Sequence, residues 1–578
     1  MFHHIKKIFI LLSLKNKKNL LFLSLLTVLR TGFELLSIGM VIPFLSIVID
    51  SENFIRIYSI NFKFIKNLSI NNTFFLVIGI FFTIYFIKTI FIIFYNYKNS
   101  KFLNNLYVEI SNNILKNYLS RDYLFFISNN SSKLIRNINS ESNLFSVGVV
   151  GNLIMILSNF FIFVSVCIML VVYNFNSLYV IIFIFFISLA VVKLNSSNFK
   201  KWGLVRQYHA SMLIKKLNEI IGNIKEVILF RNQNFFLAET NFHLNKGAKS
   251  AIYKDFFLGL SAPLIEFFGI FIFFSFFIYL VIFLSIPFTE IIILLGVFAF
   301  ASLKLLPNLI NIIRAAQNLK YNSSATNVVY AEIIEKNFSN KNNHENILQK
   351  NYHLEKIEFK NISFSYSGKK NKIINNFSFE IKNKDKIAIV GKTGGGKTTL
   401  LNLCSGLIIP TDGEILINNQ PNLKINNFFN QIGYVSQSVY LADDTVAFNI
   451  SLNRNLNEQN MFLIKNLINE LDLESILSPN DQLNTIVGEK GSKLSGGQIQ
   501  RLGIARSLYR NPTILFIDEG TGSLDEIVEE KVLKYLFKLM KEKIIIFSTH
   551  RSQVLNYCNK VIQIKDNKID IIKNENLF

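Results

Sequence analysis

Six long apolar runs constrain this chain more than any other feature. They lie near residues 19–48, 74–96, 147–173, 177–196, 256–285 and 290–313. Each can cross a hydrocarbon core about 30 Å thick as a helix. One such run fits the buried core helix of a soluble protein; six do not. The predicted fold therefore begins with an α-helical polytopic membrane domain. At 578 residues the chain also has room for a further domain behind it.

Charge orients the spans. Lys and Arg outnumber Asp and Glu by 61 to 39, although half of all residues are hydrophobic. The basic excess is spread over many loops rather than gathered in one patch, which argues against a nucleic-acid partner. The N-terminus and the segments 97–146 and 197–255 are basic, whereas the linkers 174–176 and 286–289 carry no Lys or Arg. The positive-inside rule then places both termini in the cytoplasm. Residues 1–18 read as an amphipathic helix on the cytoplasmic membrane surface. The loop 49–73 lies outside despite Arg56, Lys63 and Lys66, and its apolar spacing suits either an interfacial helix or a plain loop. The two long cytoplasmic segments read as extensions of the spans, turning through short helices near 118–128 and 217–227. Cys167, Cys404 and Cys558 are too scattered for a metal motif or a disulfide framework, and no signal-peptide cleavage site is evident.

Several ionisable residues interrupt the apolar runs, where charge is costly. Arg30 and Glu34 stand four apart on one helix face and are expected to pair. Glu266 is expected to pair across the bundle. Lys88, Lys193, Lys304 and Arg314 lie nearer span ends, where they can snorkel to the interface. Pointing inward instead, Lys88, Lys304 and Arg314 would form a cavity attractive to an anionic substrate.

Behind the spans the composition changes. An Asn/Lys-rich linker leads into alternating strand-like and helical runs, the pattern of an α/β nucleotide-binding domain. The apolar run Lys386–Val390 enters Gly391-Lys392-Thr393-Gly394-Gly395-Gly396-Lys397-Thr398-Thr399, and a helical run follows. Strand, glycine loop and helix in that order form a phosphate loop. Gly391, Gly394 and Gly396 let the backbone wrap a polyphosphate. Lys397 is placed for the β- and γ-phosphates, Thr398 for Mg²⁺, and Thr399 for the same loop. A second apolar strand ends in Asp518-Glu519, with Asp518 suited to Mg²⁺ and Glu519 to the attacking water. ATP and Mg²⁺ are the expected cofactors.

Between these motifs lies Leu494-Ser495-Gly496-Gly497-Gln498, and with it the chain resembles the ATP-binding cassette (ABC) exporters. The resemblance implies a half-transporter with a transmembrane domain at 19–325, a linker at 326–351 and an ATP-binding cassette domain at 352–578. It implies adenine stacking by Tyr366, contact of Gln437 with Mg²⁺ and the attacking water, a D-loop role for Asp525 in Ser523-Leu524-Asp525, and γ-phosphate contact by His550. Val487–Gly491 resembles the exporter X-loop. One departure stands out: Gly520 and Gly522 occupy positions where the exporter pattern usually has Ala and Ser, which loosens that segment without removing a catalytic group. In the family, Ser495, Gly496, Gly497 and Gln498 of one subunit complete the phosphate loop of the other, so a homodimer is expected.

The membrane half is similar to lipid-linked oligosaccharide flippases of bacterial N-glycosylation (PglK type). The likeness rests on an acidic residue in span one, the 49–73 loop, Ala262–Glu266 and Leu303–Pro307. It implies transfer of a polyprenyl-diphosphate-linked glycan across the bacterial inner membrane, with membrane lipid and glycolipid as partners. A drug or lipid exporter and a peptide or protein exporter are the alternatives.

Overall fold

The computed structural model describes residues 2–49, 69–194, 196–283, 288–335, 354–366, 372–421, 426–565 and 568–573. The chain divides into a helical unit, residues 1–121 with 125–341, and an α/β unit, residues 122–124 with 342–578.

Among the described residues of the first unit, five helical stretches are long and apolar enough to cross a membrane: Leu14–Val48, Ile70–Leu119, Ser131–Tyr173, Gln233–Tyr279 and Leu294–Ile334. The run expected at 177–196 forms the helix Ser177–Leu194, whose apolar stretch is shorter. The helices Ile70–Leu119 and Gln233–Phe283 contain 50 and 51 residues. At 1.5 Å per residue each runs about 75 Å, more than twice the hydrocarbon thickness. Their polar ends are therefore the extensions read from the sequence. Short helices stand at both turns, Tyr123–Ser128 and Ile224–Leu229, the second slightly beyond its expected place.

Two expectations change in detail. Residues 1–18 are not one helix: Ser13 ends the helix Phe2–Leu11 and caps the next, accepting a bond from the Asn16 amide at 3.3 Å. One face of this N-terminal helix is buried through Ile8 and Leu11, and Leu12 just beyond its end is buried too. Lys7 donates to Asn327 Oδ1 at 3.2 Å, which ties the helix to Phe288–Tyr330. Helical structure also continues through 326–335, where the linker was expected to begin. The helix considered for 49–73 falls almost entirely outside the described residues.

Among the described residues the α/β unit has ten strands: β1 Lys356–Phe364, β2 Ile374–Lys382, β3 Lys386–Gly391, β4 Asp412–Ile417, β5 Gln420–Pro421, β6 Ile432–Val435, β7 Ile514–Asp518, β8 Ile544–Ser548, β9 Lys560–Lys565 and β10 Lys568–Lys573. One sheet has the order β2-β1-β4-β5 and is antiparallel. The other has the order β10-β9-β3-β8-β7-β6, with β9, β3, β8, β7 and β6 parallel. Strands β7 and β8 are buried at every position, as a sheet covered on both faces requires. In such sheets ligands bind beyond the carboxyl ends of the strands. Here those ends carry the glycine loop after β3, Gln437 after β6, Glu519 after β7 and His550 after β8.

Candidate functional site

The loop after β3 turns sharply because its glycines allow it. Gly394 and Gly396 have φ of +80° and +100°, a region that side chains rarely enter. A Cβ at Gly391 would stand 2.7 Å from the Ile564 carbonyl oxygen. The helix Lys397–Cys404 starts directly after this turn, with its N-terminus toward the loop. Lys397 is 5% exposed and donates to the Gly391 carbonyl at 3.1 Å. Its amine also lies 2.5 Å from His550 Nε2 and 3.7 Å from Glu519 Oε1.

Glu519 and His550, from two strand ends, meet at that amine, and Gln437 from a third reaches Glu519. Gln437 Nε2 donates to Glu519 Oε2 at 2.8 Å, and His550 Nε2 lies 3.5 Å from Glu519 Oε1. Glu519 itself has φ +49°, an uncommon conformation for a non-glycine residue, held by its amide donating to the Ser548 carbonyl at 2.9 Å. Thr398 Oγ1 donates to Asp518 Oδ1 at 3.2 Å. Burial pushes the Asp518 carboxyl above the usual carboxylate range, and the bond from Thr398 partly offsets this. Tyr366 reaches the same helix, its hydroxyl 3.3 Å from Thr399 Oγ1.

These residues fit a magnesium polyphosphate. The loop is bare of side chains where a phosphate must approach, the amine stands beside it, and Thr398 with Asp518 offers the hard oxygen donors that Mg²⁺ shares with phosphates.

Ser495, Gly496, Gly497 and Gln498 are organised separately. They begin the helix Gly496–Tyr509 with a reciprocal cap, in which Ser495 Oγ accepts from the Gln498 amide while Gln498 Oε1 accepts from the Ser495 amide. Among the described residues no hydrogen bond or ion pair links them to the phosphate loop. Asp525 precedes the helix Glu526–Leu539. Sequence reading gave no role to Arg551, yet its guanidinium anchors that turn, donating to the Gly522 carbonyl at 2.8 Å and pairing with Glu529. Its only signal was adjacency to His550.

The membrane residues are arranged otherwise than expected. Glu34 does not pair with Arg30. Its carboxylate accepts from Lys88 Nζ at 2.6 Å and lies 3.6 Å from Lys304 Nζ. Lys88 also donates to Ser37 Oγ at 2.8 Å. Lys88 therefore does not snorkel; its side chain is 5% exposed and Lys304's is 32% exposed. Arg30 turns instead to Ser158 Oγ at 3.3 Å and the Tyr95 ring at 5.3 Å. An i,i+4 pair on one helix is worth a few tenths of a kcal/mol, and interhelical partners outcompete it in a buried site. Arg314 stands apart, donating to the Leu258 carbonyl at 3.3 Å. Lys193 and Glu266 are exposed on their helices.

Comparison with known proteins agrees with this architecture. The family model described as ABC transporter transmembrane region matches residues 36–302, and the one described as ABC transporter matches residues 374–522. An export ATP-binding/permease protein of Rickettsia typhi is 37% identical over 233 residues, 38% of this chain and 40% of that protein. An ATP-dependent lipid A-core flippase of Wigglesworthia glossinidia brevipalpis is 35% identical over 222 residues, 38% of each chain. The chain thus spans about two fifths of the length of the curated relatives it matches. The solved structure of a bacterial Atm1-family ABC exporter with ATP bound shares the fold, with a TM-score of 0.76 at 16% identity over 96% of this chain and 95% of that one.

Proposed function

We propose that the chain is an ABC exporter half-transporter, a transmembrane region followed by an ATP-binding domain, and that two copies hydrolyse ATP to flip a polyprenyl-diphosphate-linked oligosaccharide to the outer leaflet of a bacterial inner membrane. Both termini stay in the cytoplasm in this reading. When bound, ATP with Mg²⁺ supplies the phosphoryl group and part of the neutralising charge. Lys397 holds the β- and γ-phosphate oxygens from within the glycine loop, and Tyr366 stacks on the base. Thr398, Asp518 and Gln437 hold the metal's side of the site. Glu519 orients the attacking water and accepts its proton, with Gln437 fixing one of its carboxylate oxygens. His550 contacts the transferred phosphoryl group from β8. Ser495, Gly496, Gly497, Gln498 and Asp525 of one copy complete the phosphate loop of the other.

The observation carrying the cargo assignment is the sharing of one carboxylate, Glu34, by two amines, Lys88 and Lys304. Two positive charges against one negative leave an excess of positive charge among the spans, where unbalanced charge is costly and usually serves substrate. A diphosphate matches that excess, and Arg314 offers further positive charge. A relative named for flipping lipid A-core supports a lipid-linked cargo.

The test is ATP-dependent movement of a polyprenyl-diphosphate oligosaccharide in proteoliposomes, with Glu519→Gln as the inactive control. Transfer only with ATP and the unmodified chain is expected. Glycolipid that stays in place while ATP is hydrolysed refutes the cargo and leaves the ATPase; phospholipids, drugs and peptides are then the substrates to offer.

A further inference from the structure

The Gln437–Glu519 pair is carried by two neighbouring strands. In the register of β6 and β7, Val435 stands opposite Ile517. Gln437 follows Val435 by two residues and Glu519 follows Ile517 by two, so the pair sits directly above this rung. Gly520 comes next and is buried against it. A Cβ there would lie 2.8 Å from Ile517 Cγ2 and 2.9 Å from Val435 Cγ1. The φ of Gly520 is not positive, so space and not backbone conformation demands the glycine.

Neither neighbour yields easily. Val435 and Ile517 are 1% and 0% exposed, and both methyls are branches at Cβ with restricted χ1. Carbon atoms pack at about 3.5–4.0 Å, so a methyl at 520 is short of room by roughly 0.7 Å on two sides. Catalytic geometry tolerates about 0.5 Å. The displacement therefore exceeds what the site above can absorb. The branch methyls of Val435 and Ile517 occupy the space that a side chain at 520 would enter.

Resting on the ATPase reading above, we propose that Gly520 is a positioning residue for hydrolysis: its missing side chain lets β6 and β7 close to the spacing that holds Glu519 on Gln437. Gly520 touches no substrate and acts only through that pair. Gly522 differs, since a Cβ there would meet only the Glu519 carbonyl at 3.3 Å, a contact that a small shift relieves.

The experiment measures ATP turnover and fluorescent-nucleotide binding by the purified full chain. Gly520→Ala is expected to lower kcat about 10- to 100-fold, the effect of a misplacement up to about 1 Å, with KM and nucleotide affinity unchanged. Removing the two crowding methyls, in Gly520→Ala/Val435→Ala/Ile517→Leu, is expected to restore turnover. Wild-type turnover in Gly520→Ala, or an equal loss of nucleotide affinity, overturns the proposal. If the single variant does not fold, the triple variant decides: turnover near wild type supports the proposal, and ATP binding without turnover overturns it. An unmodified chain that hydrolyses no ATP strikes the proposed function instead, so the two failures are distinguishable.

Discussion

Removing the carboxylate of Glu34 should damage this protein more than removing either lysine that shares it. In the ion pair the Glu34 and Lys88 side chains are 7% and 5% exposed, at 2.6 Å. Glu34→Gln leaves the Lys88 ammonium buried with a neutral amide, the Ser37 hydroxyl and the Tyr85 ring at 4.9 Å, none of them a counter-charge, and it also releases Lys304. Breaking a buried pair from one side costs about 3–5 kcal/mol, because the stranded charge keeps its desolvation penalty. Lys88→Met is gentler, since Glu34 still faces Lys304 at 3.6 Å. Lys304→Met removes a partner that is 32% exposed and should cost about 0–1 kcal/mol. The double variant Glu34→Gln/Lys88→Met should recover most of the loss, because replacing both members of a buried pair is often near neutral. Thermal unfolding of the four variants in nanodiscs, analysed as a double-mutant cycle, measures the coupling directly. If Glu34→Gln melted with Lys304→Met, or if the double variant lost the sum of the two single losses, the reasoning would be refuted.

Two further predictions concern the α/β unit. Lys397→Ala should lose nucleotide affinity, whereas Glu519→Gln should bind ATP and abolish turnover; equal hydrolysis by Glu519→Gln and the unmodified chain would remove Glu519 from its role. Lys386 should make stability pH-dependent on the alkaline side. Its amine donates to the Met540 carbonyl at 2.8 Å, the Lys541 carbonyl at 3.3 Å and the Lys543 carbonyl, and burial lowers its pKa to about 8. Between about pH 8 and the ordinary lysine value of 10.5 the unfolded chain keeps a proton that the folded chain releases. Stability from this group therefore rises with pH across that window. Thermal unfolding from pH 7 to 10.5 should show this slope, and Lys386→Met should flatten it.

The phosphate loop and the acid pair of the candidate nucleotide site could be read from the sequence because each is local. A glycine loop between strand and helix and an acid pair ending an apolar strand each announce themselves over a short stretch of chain, whereas Gln437 and His550 were expected only through the resemblance to ABC exporters. The parallel order β3-β8-β7-β6 then brings those ends together. The membrane spans were legible for a similar reason, since hydrocarbon thickness sets a length that an apolar run either meets or does not. Partner choice across the fold was not legible. From spacing alone Arg30 faced Glu34, yet the carboxylate found Lys88, 54 positions away, and Lys304 on a third helix. Likewise Gly520 read as a loosened turn, and only the register of β6 against β7 revealed that Val435 and Ile517 take up its space. Helix length, strand character and glycine-loop chemistry follow from interactions between near neighbours in the chain. Which buried charges meet, and which carbon atoms compete for one volume, depends on surfaces that approach only after the elements have packed.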